Sequence, residues 1–198
     1  RKDIIALASP EKRLADREGA LRVLVVGGSL GAVRLNELVP EALSKIELAT
    51  RPEVWHQTGL KNHQAAQALY KKFNVDGRVD AFIDDMAEAY EWADIVICRA
   101  GAMTVFELAA AGAASVLVPY PYAVDDHQTA NADYLVGVGA AIVRQQKDID
   151  AQWLRKTIIE LTQQRDQILR MATAARSQAK PNAAREVAER CMLAGGLI

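Results

Sequence analysis

The chain has 198 residues, of which 51% are hydrophobic and 25% charged, the balance of a globular domain rather than of a disordered or fibrous chain. No apolar run approaches the roughly 18 residues of a membrane span, and two distant cysteines, Cys98 and Cys191, exclude a disulfide framework or a zinc ribbon, so a reducing cytoplasm is the expected compartment. The net charge of −1 conceals 12 Lys/Arg against 8 Asp/Glu in residues 1–73, 2 against 11 in 74–133 and 10 against 6 in 134–198, an acidic centre that speaks against a nucleic-acid surface.

Residues 1–20 are polar and without period, and are expected to form a leading linker before a domain spanning 21–198. The chain opens on Arg1-Lys2-Asp3 with no initiator Met and no signal pattern, and is expected to be a piece of something longer. Arg22 to Val26 reads as a buried parallel strand ending at Gly27-Gly28. Leu35, Leu38, Val39 and Leu43 then mark one face of a helix. Further strands are expected at Val54–Thr58, Val79–Ile83, Ile95–Cys98, Ser115–Val118 and Ala140–Val143. Helices fall between them at Gln64–Phe73, Met86–Ala93, Thr104–Ala111 and Gln128–Leu135, and from Asp150 onward with breaks near Thr162 and Pro181. Six short strands alternating with helices predict an α/β fold: a Rossmann-like parallel six-stranded sheet covered on both faces. In such a sheet ligands bind beyond the carboxyl ends of the strands.

The residues after each strand therefore carry the functional argument. Gly27-Gly28-Ser29-Leu30-Gly31 fits a tight turn or a phosphate-facing loop at a helix N-terminus. It is not the dinucleotide fingerprint, because Val26 stands where the first glycine is needed and Gln57-Thr58 where the ribose acid is expected. A P-loop lysine is also absent. After the fourth strand come Gly101, Ala102, Met103, Thr104, Val105, Phe106 and Glu107. Thr104 and Glu107 have the spacing of a capping box, while the same helix start suits a diphosphate and Glu107 a ribose diol; both readings stand. Asp84 and Asp85 are expected helix caps, with the adjoining backbone available to a base. The Pro- and Asp-rich loop 119–126, followed by His127, Gln128 and Asn131, suits sugar hydroxyls, with His127 as a hydrogen-bonding group rather than a base. His56, His63 and the tryptophans 55, 92 and 153 are read as structural.

Five segments then occur in one order: Gly27-Gly28-Ser29-Leu30-Gly31-Ala32, Trp55-His56-Gln57-Thr58-Gly59, Phe82-Ile83-Asp84-Asp85-Met86, Arg99-Ala100-Gly101-Ala102-Met103-Thr104 and His127-Gln128-Thr129-Ala130-Asn131-Ala132. Together they resemble the C-terminal half of the MurG family, GT-B glycosyltransferases of family 28. The resemblance implies the donor half of an inverting enzyme that moves GlcNAc from UDP-GlcNAc to undecaprenyl-pyrophosphoryl-MurNAc-pentapeptide (lipid I), giving lipid II for peptidoglycan. It implies that Arg1 contacts the nucleotide, Ser29 the diphosphate, the Ile83 backbone the uracil, Ala102 to Thr104 the phosphates, Glu107 the ribose and Gln128 the GlcNAc. Val105 and Phe106 complete that helix start, and Gly27, Gly28, Gly31, Gly101, His127 and Asn131 support it. It further implies no metal and no cofactor, a cytoplasmic protein peripheral on the inner membrane, and an acceptor domain that these residues do not include. No catalytic residue is expected here. Phe106 replaces a commonly small polar residue, and Ala113-Ala114 replaces a residue-Pro pair. The alternative reading is a stand-alone nucleotide-sugar-binding subunit of a split transferase; a 2-epimerase of the same fold would need carboxylates and histidines that find no place.

Overall fold

A computed structural model describes residues 1–15, 17–28, 31–123 and 126–195, the side chain of Ala184 apart. Six parallel strands, β1 (Arg22–Val26), β2 (Glu53–Gln57), β3 (Arg78–Asp80), β4 (Ile95–Cys98), β5 (Ala114–Leu117) and β6 (Ala141–Val143), pair in the order β3-β2-β1-β4-β5-β6. The chain reverses its direction of growth between β1 and β4, so the crevice above those two strand ends is the topological switch point. The expected strands are all present: β1 and β4 match their expected bounds, β2, β5 and β6 shift by one residue, and β3 ends three residues before the expected Ile83. β3 and β6 are the shortest, and beyond Ala81, whose carbonyl accepts from the Gly59 N–H, the chain leaves β2 and forms a loop to α5 (Met86–Trp92).

Successive strand side chains point to opposite faces, and each face is buried. Val23, Val25, Ile95, Ile97 and Val116 pack under α3 (Val33–Ser44) and α8 (Ala151–Gln163). Leu24, Val26, Val96, Cys98 and Leu117 pack under α5 (Met86–Trp92), α6 (Ala102–Ala111) and α7 (His127–Val136). This is why the strands read as unbroken apolar runs rather than as alternations. α4 (His63–Lys72) closes the β2–β3 side through Tyr70. The long C-terminal region divides into α8, α9 (Arg165–Ser177) and α10 (Ala183–Ala194), close to the expected breaks.

The leading segment differs from the irregular lead expected of it. It holds two short helices, α1 (Lys2–Ile5) and α2 (Pro10–Leu14), docked on the domain. Ile4 is 1% exposed in the second-face core. Arg13 is buried and donates to the carbonyls of Ala111 (2.9 Å) and Gly112 (2.6 Å), the last residues of α6 and its left-handed Gly cap. Arg176 of α9 reaches the Ala110 carbonyl beside them, and those of Ile5 and Leu7 at 3.1 and 3.0 Å. Burial lowers the Arg13 guanidinium to about 10, with Arg17 and Arg176 adding repulsion. At the same amino end of the sheet, just before β4, buried Asp94 accepts from Arg17 (2.9 Å), Arg165 (2.9 Å) and the Arg22 N–H (2.8 Å), tying the lead, α9 and the start of β1 together. These contacts span more than 70 residues of sequence, and local pattern carries no trace of them.

Candidate functional site

A cleft of about 690 Å³ lies over the carboxyl ends of β1 and β4. Its floor is Val26 and the glycine loop. Gly27 must be glycine because a Cβ there would sit 2.7 Å from the Ala32 backbone nitrogen. Gly31, at φ +74, would place a Cβ 2.2 Å from the Thr58 carbonyl oxygen. A Cβ on Gly28, at φ +76, would meet nothing within 4 Å among the described residues, and Gly28 lines the cleft. The turn closes on a Gly31 N–H to Gly28 carbonyl bond of 2.9 Å. The Gln57 amide supports it from below at 3.2 Å from the same carbonyl. Ser29, the residue expected at the diphosphate, lies outside the described residues.

Two helices begin at this cleft. α3 starts after Ala32 and α6 after Gly101, and neither of these residues has a side-chain oxygen to cap with. The first-turn N–H groups of each helix have no intrahelical acceptor, and the partial positive charge of both termini falls on the cleft. The capping box expected of Thr104 and Glu107 is not formed. Helix α6 begins two residues before Thr104, so Thr104 is the third helical residue and Glu107 the sixth. Thr104 lines the cleft instead. Asp85 does cap α5, accepting from the Glu88 N–H at 2.9 Å.

The expected site residues divide between two adjoining hollows. Gly27, Gly28, Gly31, Gly101, Thr104 and Gln128 line the large cleft. Arg1, Met103, Phe106 and Glu107 line a second cavity of about 340 Å³ with Ile4, Ile5 and Ala110. Met103 and Thr104 are neighbours on the first turn of α6, which separates the two. Met103 is 73% exposed and Phe106 51%, an unusual exposure for such side chains. Val105 turns its side chain into the core, leaving only its backbone to a ligand. Ile83 is likewise buried, in the loop between β3 and α5. The Glu107 carboxylate accepts from the buried Tyr90 hydroxyl at 3.2 Å and lies 3.9 Å from Arg1. Burial, then the Glu107 charge, push the Tyr90 phenol well up, so it serves as a donor. Gln128 accepts from the Tyr120 N–H at 3.0 Å. Asn131 donates to the Ala100 carbonyl at 3.0 Å, fixing α7 to the turn that starts α6. His127 stands at the start of α7.

The sequence reading passed over three charged residues that line the large cleft, Arg34, Glu37 and Arg99. Arg34 and Glu37 face each other at 3.7 Å. Arg99 follows β4 directly and donates to the carbonyls of Val118 and Pro119 (both 3.1 Å) and to the Gln146 side chain (2.5 Å). Its place immediately after a buried strand, in the acidic stretch 74–133 where the only other cation is Arg78, was the available signal. His56 is a core residue as expected: burial lowers its imidazole to about 3, and Nδ1 meets the Tyr70 hydroxyl at 2.9 Å. Among the described residues no cluster of three or more His, Cys, Asp or Glu is placed to hold a metal ion. None of their helices is long and apolar enough to cross a membrane.

Residues 22–187 match the family model of the glycosyltransferase family 28 C-terminal domain. Curated relatives named UDP-N-acetylglucosamine--N-acetylmuramyl-(pentapeptide) pyrophosphoryl-undecaprenol N-acetylglucosamine transferase include those of Marinobacter nauticus and Aromatoleum aromaticum. They are 52% and 54% identical over 97% and 96% of this chain, which spans about half (53%) of the length of each. The crystal structure of Acinetobacter baumannii MurG superposes with a TM-score of 0.86 at 43% identity, covering 94% of this chain and 53% of that one.

Proposed function

Because the chain belongs to the glycosyltransferase family 28 C-terminal domains, we propose that it is the donor-binding half of an inverting transferase that moves GlcNAc from UDP-GlcNAc to undecaprenyl-pyrophosphoryl-MurNAc-pentapeptide. The acceptor hydroxyl attacks the anomeric carbon while UDP departs, and this half holds the departing diphosphate. One observation carries the reading: two uncapped helix N-termini and a glycine loop meet at the switch-point cleft, which is how a fold without a P-loop lysine accommodates a diphosphate.

In this reading the diphosphate lies over Gly28, Gly101 and Thr104. The base and ribose extend past the first turn of α6 toward Ile83, Glu107 and Arg1, and the sugar faces Gln128. The acidic centre does not repel the donor, because among the described cleft-lining residues only Glu37 is a carboxylate, and Arg34 offsets it. Protein groups stabilise the leaving charge, so no resident metal is required. The acceptor site and any contact with the inner membrane belong to the part of the enzyme these residues do not supply.

Calorimetric titration with UDP and UDP-GlcNAc tests the proposal. Both ligands bind, each displaces the other, and Glu107→Ala weakens both by about 1–3 kcal/mol, the cost of lost buried hydrogen bonds. A folded chain that takes up neither ligand refutes it.

A further inference from the structure

We propose that Arg99 is an anion-binding residue of the cleft, held by Gln146 and the β5 loop so that its charge acts on the donor's phosphates; this rests on the donor reading above. The argument starts from how Arg99 is partnered. A guanidinium withdrawn from water is compensated by a carboxylate, as Arg17 is by Asp94, or by the negative carbonyl pole of a helix, as Arg13 and Arg176 are by that of α6. Arg99 is partly buried, yet among the described residues its hydrogen bonds go to two carbonyls and an amide, and none to an acid. Its ring contact is with Tyr120, at 5.4 Å from the centroid. Burial lowers its proton affinity, so its charge is held against a desolvation cost. The other cation of the cleft, Arg34, already faces Glu37, which leaves Arg99 as the uncompensated positive charge among the described cleft residues.

The geometry around it is fixed from several elements. Val118 and Pro119 follow β5, Gln146 follows β6, and Arg99 follows β4, so three adjacent strand ends orient one side chain. The same loop reaches Gln128 through the Tyr120 N–H. Two of the three guanidinium nitrogens are engaged by these acceptors. Among the described residues the Nε–H and the second N–H of the Gln146-bound nitrogen have no hydrogen-bond partner, and Arg99 lines the cleft. An Arg fork with donors to spare, beside two helix N-termini, is the arrangement that binds a phosphoanion.

The experiment compares uridine, UDP and UDP-GlcNAc binding to the chain and to Arg99→Gln and Arg99→Lys, with folding checked by circular dichroism. Wild type binds UDP more tightly than uridine, and that preference falls as salt is raised. Arg99→Gln reduces the preference at least tenfold with uridine affinity unchanged, and Arg99→Lys reduces it less. An unaltered preference in folded Arg99→Gln overturns the assignment, as does an unaltered preference in folded Arg99→Met should the Gln variant not fold. A drop confined to UDP-GlcNAc also overturns it, because Arg99 would then act only by placing the loop that carries Gln128. Wild type that binds no UDP removes the donor reading itself, and this inference with it.

Discussion

Two glycines of the cleft loop have nearly the same positive φ, +74 at Gly31 and +76 at Gly28, and substituting each by alanine separates stability from binding. A Cβ in this region costs roughly 1–2 kcal/mol for backbone conformation alone. At Gly28 that is the whole cost, because no described residue lies within 4 Å of the added carbon. At Gly31 the new carbon would sit 2.2 Å from the Thr58 carbonyl and 2.6 Å from the Asn62 amide nitrogen. The carbonyl is backbone at the end of β2 and cannot swing aside, so overpacking adds about 1–3 kcal/mol. Gly31→Ala should therefore cost about 2–5 kcal/mol, and lower Tm by about 4–20 °C for a chain of this size, against about 2–8 °C for Gly28→Ala. Ligand binding should respond in the other sense. The Gly28 methyl group enters the space proposed for the diphosphate, so Gly28→Ala loses UDP affinity while staying folded at 25 °C. Thermal unfolding and UDP titration of both variants provide the measurement. Equal Tm losses would refute the steric argument, and undiminished UDP binding by Gly28→Ala would refute the placement of the phosphates.

Tyr90→Phe removes the hydroxyl that holds Glu107, so the preference for UDP over 2′-deoxy-UDP should shrink about fivefold, near 1 kcal/mol, in parallel titrations; an unchanged preference would mean that Glu107 does not read the ribose through this bond. Asp94→Ala leaves Arg17 and Arg165 without their buried carboxylate and should cost about 3–5 kcal/mol in urea unfolding with UDP affinity at 25 °C unaffected. His56 has a folded-state value near 3 against an ordinary 6.5, so the unfolded chain binds the extra proton between them. Its contribution is complete above about pH 6.5 and is lost as pH falls toward 3, by about 1.4 kcal/mol per unit. In His56→Gln that slope should be shallower by one proton, and a slope equal to wild type would show that the imidazole is solvated.

The fold was legible because parallel strands buried on both faces leave a simple mark. Ile95-Val96-Ile97-Cys98 has no polar interruption, and its strand begins and ends where that run does. Boundaries set by the backbone were less so. The Thr104–Glu107 spacing imitates a cap, yet Gly101 at φ −65, ψ 145 begins the helix earlier. The loop glycines were visible as a cluster, but which of them sterics require and which leave room for a ligand depends on the strand beside them. Arg99 carries no motif; its role arises from acceptors 19, 20 and 47 residues further along the chain. The leading helices were hidden for the same reason, since segments of four and five residues show no period and are held by distant carbonyls.

The hold of Arg13 and Arg176 on the last carbonyls of α6 has a consequence for the cleft at that helix's other end. α6 is ten residues long, about 15 Å. Cations at its carbonyl end neutralise the negative pole, so the positive pole at Gly101 acts on the cleft with less cancellation from its own helix. Through Arg13 the lead thus adds to the cleft's potential from behind α6, besides placing Arg1 near Glu107 in the second cavity. A chain shortened to begin at residue 21 would keep every strand and every described residue lining the large cleft, while losing Arg1 from the second cavity. It would still bind an anion less well, because one of the two guanidinium groups behind the helix would be gone.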